Sequence, residues 1–170
     1  AEMGITVRLV SVGEDAVSSS RIRNFLSEGD MEAAAGLLGR PYAVYAPVVT
    51  GNRIGRTIGF PTVNQPFDPG LLVPPFGVYV SLLHFADRSY PAVSNIGVKP
   101  TVGNCPDPLL ETHVLGMDIS GFVFRENLQV DLFRMLRREK KFSSLEELKA
   151  QIAFDSELAQ KYFYSNECFS

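Results

Sequence analysis

Cysteine and histidine are scarce: two of each occur in 170 residues. Cys105 and Cys168 show no CxxC spacing, so neither a disulfide framework nor a structural zinc site is expected, and a reducing cytoplasm is the simplest compartment. Basic surplus is missing too. A formal charge of −3 argues against a dedicated nucleic-acid binder, which normally carries a basic face, so any anionic partner has to be held locally by a loop. Nowhere do about 18 consecutive apolar residues occur, and the start, AEMGITVRLVSVGEDAV, has no basic segment followed by an apolar run; neither a membrane span nor a secretory signal is read. Internal repeats and low-complexity segments are also lacking.

What is present is a 45% hydrophobic chain long enough for one medium domain with an appended piece. GITVRLVSV (4–12) alternates like a strand. SSSRIRNFLSEG then offers serine caps, a helical run and a terminating Gly29, and Asp30 caps a second short helix that ends at Gly39. From Arg40 the texture changes. YAVYAPVV, TIGFPTV, GVYVSLLHF, YPAVSNI, ETHVLG and FVFRENLQVDLF are short, rich in β-branched and aromatic residues, and separated by Gly, Pro, Asn and Asp. Without helices between them these six short strands predict an antiparallel barrel or sandwich rather than a parallel sheet, and of the two a six-stranded barrel of Greek-key type is preferred. FSSLEELKAQI closes the chain as a helix, with Ser143 or Ser144 as N-cap, Glu146 or Glu147 three residues on, and Leu145, Leu148 and Ile152 on one stripe.

The stretch GNRIGRTIGFPTVNQ carries the chemistry. Gly51, Gly55 and Gly59 let backbone N–H groups approach a ligand, and Arg53 and Arg56 add positive charge, which together can cradle phosphates. The spacing is neither Walker A nor GxGxxG, and on loop chemistry alone a solvated hairpin with charged tips is the favoured reading. Thr62 and Asn64 share a face if the segment is extended, and a hydroxyl beside an amide oxygen can hold a hard cation such as Mg²⁺. The alternative is that both satisfy backbone groups in a turn.

GRTIGFPTVN resembles the GR-x-x-GFPTAN signature of riboflavin kinases. PPFGVY, SNIGVKPTVG, ETHVLG and LRREKKFSSLEELKAQI follow in that family's order, so the resemblance covers about Gly39 to Phe163. It implies transfer of the ATP γ-phosphoryl group to riboflavin, giving FMN, with the loop over the phosphates, Thr62 and Asn64 at Mg²⁺, and Glu111 as general base for the ribityl 5′-hydroxyl. Without it, Glu111 reads as a strand-end charge. A non-catalytic flavin or nucleotide sensor on the same barrel is the alternative function.

Residues 18 to 41 resemble the junction at which an FAD synthetase (adenylyltransferase) domain hands over to the kinase in bacterial two-domain enzymes. The HxGH region of that domain is missing. Residues 1–38 are therefore read as its remnant and a linker, from a cut piece of a longer enzyme or a natural relic, and 39–170 as the kinase barrel.

The remaining candidates have plainer readings. His113 shares a face with Glu111, which allows a proton-transfer pair, but nothing at a readable spacing orients the ring; it and His84 are taken as structural or rim residues. Asn95, Lys99 and Thr101 lie in a shaped loop. Arg134, Arg137, Arg138, Lys140 and Lys141 form a basic run that defaults to a solvated face. Arg137 matches the family's LR-x-E position and is placed on the flavin side. Phe122, Phe124 and Phe133 are core candidates, although Phe124 stands in the segment that covers the flavin in the family. Two departures from the pattern stand out: PTVN for PTAN, with Val63 facing the barrel, and MDISGFVFRENLQV where the family has a Tyr-Gly pair.

Overall fold

The computed structural model describes residues 17–50, 55, 58–98, 107–117, 119 and 127–165. The strand expected at 4–12, and the residues Gly51, Arg53, Arg56, Lys99, Thr101, Phe122 and Phe124, lie outside them.

Two helices come first, α1 (Ser19–Glu28) and α2 (Met31–Leu38). Their caps are the expected ones: Ser18 Oγ accepts from the Arg21 N–H and Asp30 Oδ1 from the Ala33 N–H, while Gly29 and Gly39 end the helices in the left-handed conformation. Leu26, Met31 and Ala34 belong to the same buried cluster as the barrel interior, so the pair packs onto the barrel as part of one core.

Six strands follow: β1 (Tyr42–Pro47), β2 (Val63–Pro66), β3 (Gly77–Phe85), β4 (Arg88–Val98), β5 (Pro108–Val114) and β6 (Asn127–Arg138). They hydrogen-bond in the order β1-β6-β3-β4-β5-β2, all antiparallel. β3, β4 and β5 are consecutive neighbours and β6 returns beside β3, which is the Greek key. β2 is shorter than TIGFPTV predicts. Gly59 takes a left-handed φ of 87° and turns the chain, so the strand starts at Val63.

The barrel closes between β1 and β2 through one bridge, Val49 to Asn64, where the Val49 N–H donates to the Asn64 carbonyl at 2.8 Å. A side chain completes the closure. Gln65, fully buried inside, donates from Nε2 to the carbonyls of Ala46 and Leu128, 2.8 Å each, tying β2 to β1 and β6. Gln65→Leu should therefore destabilise the fold by about 1–3 kcal/mol, because two buried acceptors lose a donor; a urea melt measures it, and an unchanged midpoint would make the glutamine dispensable.

Alternation sorts the rest. Val63, Tyr79, Leu83, Ile96, Leu110, Val114 and Val130 fill the interior, Val63 at 2% exposure, facing the barrel as expected. On the outer face Val78, Val80, Leu82, Val93 and Phe133 form a second cluster beneath the last helix, α3 (Leu145–Ser165), joined by Ala159, Tyr162 and Phe163. Phe133 is thus core, edge-on to Phe163. The helix begins with a reciprocal cap: Ser144 Oγ accepts from the Glu147 N–H, and the Glu147 carboxylate accepts from Ser143 N–H and Oγ. Hydrogen bonding from the Ser143 backbone, then its hydroxyl, holds the Glu147 carboxyl down at about 2. Leu145, expected on the same stripe as Leu148 and Ile152, is instead 54% exposed, whereas Leu148 and Ile152 line the cavity described below. No helix among the described residues is long and apolar enough to cross a membrane.

Candidate active site

Strand register brings the candidates together. Asn64 stands directly opposite Glu111, Glu111 opposite Asn95, Asn95 opposite Val78, and Val78 opposite Arg137. These five residues form one transverse row across β2, β5, β4, β3 and β6. Opposed residues on antiparallel strands have Cβ atoms about 4.5–5.5 Å apart, so the half-buried Glu111 is flanked by two amides. Irregularities between Val78/Tyr79 and Val80/Ser81 shift the register of β6. Each extra residue reverses parity, which lets Met135 pack with the interior while Arg137 reaches the outer face.

The row lines a cavity of about 430 Å³ between the outer barrel face and α3. Its lining mixes polar groups, with Thr62, Asn64, Asn95, Glu111 and His113 from β2, β4, β5 and the residues before β2, and Arg137, Lys140 and Asp155 from β6, the segment after it and α3, with apolar surface from Val78 and Val93 on the sheet and Leu148 and Ile152 on the helix. A second cavity, of about 590 Å³, takes in Gly59, Pro61, Gly116 and the Ser156 side of α3. Phe60 and His113 belong to both.

Thr62 and Asn64 do share a side, as the extended reading requires: Asn64 Nδ2 lies 3.5 Å from Thr62 Oγ1 and 3.4 Å from the Thr62 carbonyl. Asn64 is 6% exposed and its Oδ1 is buried without a hydrogen-bond partner. An orphaned amide oxygen costs free energy, and next to a hydroxyl it has the hardness that an oxygen-seeking cation requires. No group of three or more His, Cys, Asp or Glu among the described residues makes a conventional cage.

Two of the loop glycines answer to local geometry. A Cβ on Gly55 would stand 2.3 Å from the Phe60 carbonyl oxygen, whose own N–H donates to the Gly55 carbonyl at 2.7 Å. Gly59 needs its left-handed φ. Together they turn Phe60 edge-on to His113, ring centroids 5.2 Å apart. His113 Nδ1 lies 3.0 Å from the Pro61 carbonyl oxygen, so the ring is oriented by a backbone acceptor that the sequence does not advertise.

The other candidates separate. His84 is away from the cavity, with Nε2 2.9 Å from Asp131 and Nδ1 2.9 Å from Ser89 Oγ. Arg134 is exposed beside Glu32, whereas Lys140 lines the cavity, as do Glu139 and Phe142. Arg137 is on the wall, but its guanidinium donates to Asp155: Nε at 3.0 and 3.3 Å, Nη2 at 2.9 Å. Asp155 was not anticipated. Its signal was an acidic residue at the i+3 position after Ile152 on an otherwise apolar stripe. Gly97 was likewise missed as a packing site: a Cβ there would meet the Glu139 carboxylate at 2.4 Å.

Proteins similar in sequence and fold are known. The Escherichia coli (strain K12) bifunctional riboflavin kinase/FMN adenylyltransferase is 40% identical over 148 residues, and the Bacillus subtilis (strain 168) protein of the same name 38% over 149; each match covers 86% of this chain and 46% of the relative. The chain thus spans about half the length of the curated relatives it matches. Among solved structures, one from Streptococcus pneumoniae described as a macrolide-efflux protein superposes with a TM-score of 0.78 at 29% identity, covering 88% of this chain and 48% of that one. Riboflavin kinase from Trypanosoma brucei, at 21% identity and a TM-score of 0.51 over 73% of this chain and 80% of its own, shares the fold. The profile of the flavokinase (riboflavin kinase) family matches residues 38–163, a span that holds the register row, both cavities and the helix that roofs them, and the chain belongs to that family.

Proposed function

We propose that the chain transfers the γ-phosphoryl group of ATP to the 5′-hydroxyl of riboflavin, releasing FMN and ADP. The observation that carries this reading is the placement of Glu111 between Asn64 and Asn95 on the wall of a cavity that also offers the apolar side chains of Val78, Val93, Leu148 and Ile152. A flat ring system suits these apolar side chains, with its ribityl chain directed to the carboxylate. The second cavity, sharing Phe60 and His113, gives the nucleotide a separate approach.

In this mechanism Glu111 accepts the 5′-hydroxyl proton as that oxygen bonds to the γ-phosphorus, and the bond from phosphorus to the ADP oxygen breaks. Most of the remaining work is positioning. Thr62 Oγ1 and Asn64 Oδ1 would hold Mg²⁺, which when bound neutralises charge on the β- and γ-phosphate oxygens. Gly51 to Gly59, with Arg53 and Arg56, would cover the phosphates. His113, its Nδ1 turned to Pro61, lines both cavities and forms part of the partition. The product FMN is what the relatives' second named activity consumes, and we take an adenylyltransferase domain of the same polypeptide as its next user, in the cytoplasm. Incubation with riboflavin, ATP and Mg²⁺ should convert riboflavin to FMN, read by reversed-phase chromatography, with no conversion when Mg²⁺ is chelated; unconverted flavin in both reactions would refute the assignment.

A further inference from the structure

We propose that Arg137 and Asp155 are a positioning pair that sets flavin affinity by fixing the gap between α3 and the barrel wall, an inference that rests on the riboflavin kinase reading.

The barrel-facing stripe of α3 is Leu148, Ile152, Asp155, Ala159 and Tyr162, at spacings of four and three. A carboxylate in the middle of such a stripe is costly to bury unless it is paired and hydrogen-bonded. Asp155 is 2% exposed and fully engaged: Arg137 reaches both oxygens, and Gln151 Nε2 donates to Oδ1 at 2.9 Å. Arg137 is anchored in turn, Nη1 donating to the Arg138 carbonyl at 3.2 Å and the guanidinium carbon 5.6 Å from the Phe142 ring centroid.

A planar fork on a carboxylate fixes distance and rotation together, which an apolar contact alone does not. Because Arg137 ends the row that contains Asn95 and Glu111, the fork sets where Leu148 and Ile152 stand relative to the reacting carboxylate. An aromatic ring held between two apolar walls needs a gap of about 7–8 Å, twice the carbon contact distance, and a radial error of about 1 Å on one side forfeits up to half of that wall's attraction. Loss of the fork should weaken flavin binding while sparing the nucleotide, for which the second cavity, lined by neither Arg137 nor Asp155, gives a separate approach.

The test compares wild type, Arg137→Lys, and the double variant Arg137→Met with Asp155→Leu, an apolar replacement of a buried pair that generally preserves folding. Riboflavin Kd comes from flavin fluorescence quenching, KM for both substrates from FMN formation, and folding from thermal melts. The expected result for the double variant is a riboflavin Kd and KM raised roughly 10-fold or more, with KM for ATP within about twofold of wild type. Arg137→Lys, which keeps the charge but loses the fork, falls between. A folded double variant that binds riboflavin as wild type does overturns the proposal, as does an equal rise in both KM values. If the double variant does not fold, Arg137→Lys decides alone: an unchanged riboflavin Kd refutes the pair's role. Wild type that fails to bind riboflavin removes the kinase reading itself, and this inference with it.

Discussion

Glu111→Gln is expected to lower the rate of FMN formation by about 10²- to 10⁴-fold, the usual worth of a positioned general base. That corresponds to about 3–5 kcal/mol of activation free energy. The substitution keeps the length of the side chain, and its strand neighbours Asn64 and Asn95 are amides that tolerate a third amide between them. What is lost is the capacity to take a proton. Riboflavin and ATP affinities should stay within about threefold, since positioning groups remain. A glutamate in mid-strand with only a structural role, rather than the strand-end charge read from the sequence, predicts the opposite: an unchanged rate and a stability change of about 0.5 kcal/mol. Steady-state FMN formation, measured beside the two affinities, separates these outcomes, and an unchanged rate takes Glu111 out of the mechanism.

Asn64→Ala carries the second large effect, and its signature is a split between activity and stability. Asn64 Oδ1 has no hydrogen-bond partner, and the contacts of Nδ2 with Thr62 are at 3.4 and 3.5 Å, so the side chain does little for the fold. Removing an unsatisfied buried oxygen relieves a cost, and the melting temperature should hold steady or rise. Activity should fall by about 10²- to 10³-fold, with a higher Mg²⁺ requirement, because one hard oxygen leaves the cation site. Thr62→Ala is expected to act in the same direction. A Mg²⁺ titration of the rate, run beside a thermal melt, checks both; near-normal turnover would reduce Asn64 to a strand former.

The sequence was most legible where a local rule dictates geometry. Ser18, Gly29, Asp30 and Gly39 bound their helices because caps need only neighbouring backbone groups. GVYVSLLHF became β3 without change, since a short β-branched and aromatic run and its bounding turn residues agree there. The Glu111 row was partly legible: same-face pairing of Thr62 with Asn64 follows from a period of two, but the register that adds Asn95 and Arg137 depends on strand order and on the irregularities in β6. TIGFPTV looked like a strand because β-branched residues outweighed a single glycine whose φ is positive. Asp155 was hidden for a different reason. A helical stripe is scored by apolar residues, and an acidic member makes sense only with Arg137, on another element 18 positions away. His113 was read as unoriented because its partner is the Pro61 carbonyl, and backbone acceptors leave no mark in a sequence.

The most direct test of the central claim follows the phosphorus. The purified chain is supplied with riboflavin, Mg²⁺ and ATP labelled at the γ-phosphate, and flavin and nucleotide products are separated and counted. The account predicts label in FMN at one phosphate per flavin, with an equal amount of unlabelled ADP. Tight binding of riboflavin with no label in the flavin fraction, or label released only as inorganic phosphate, would contradict it.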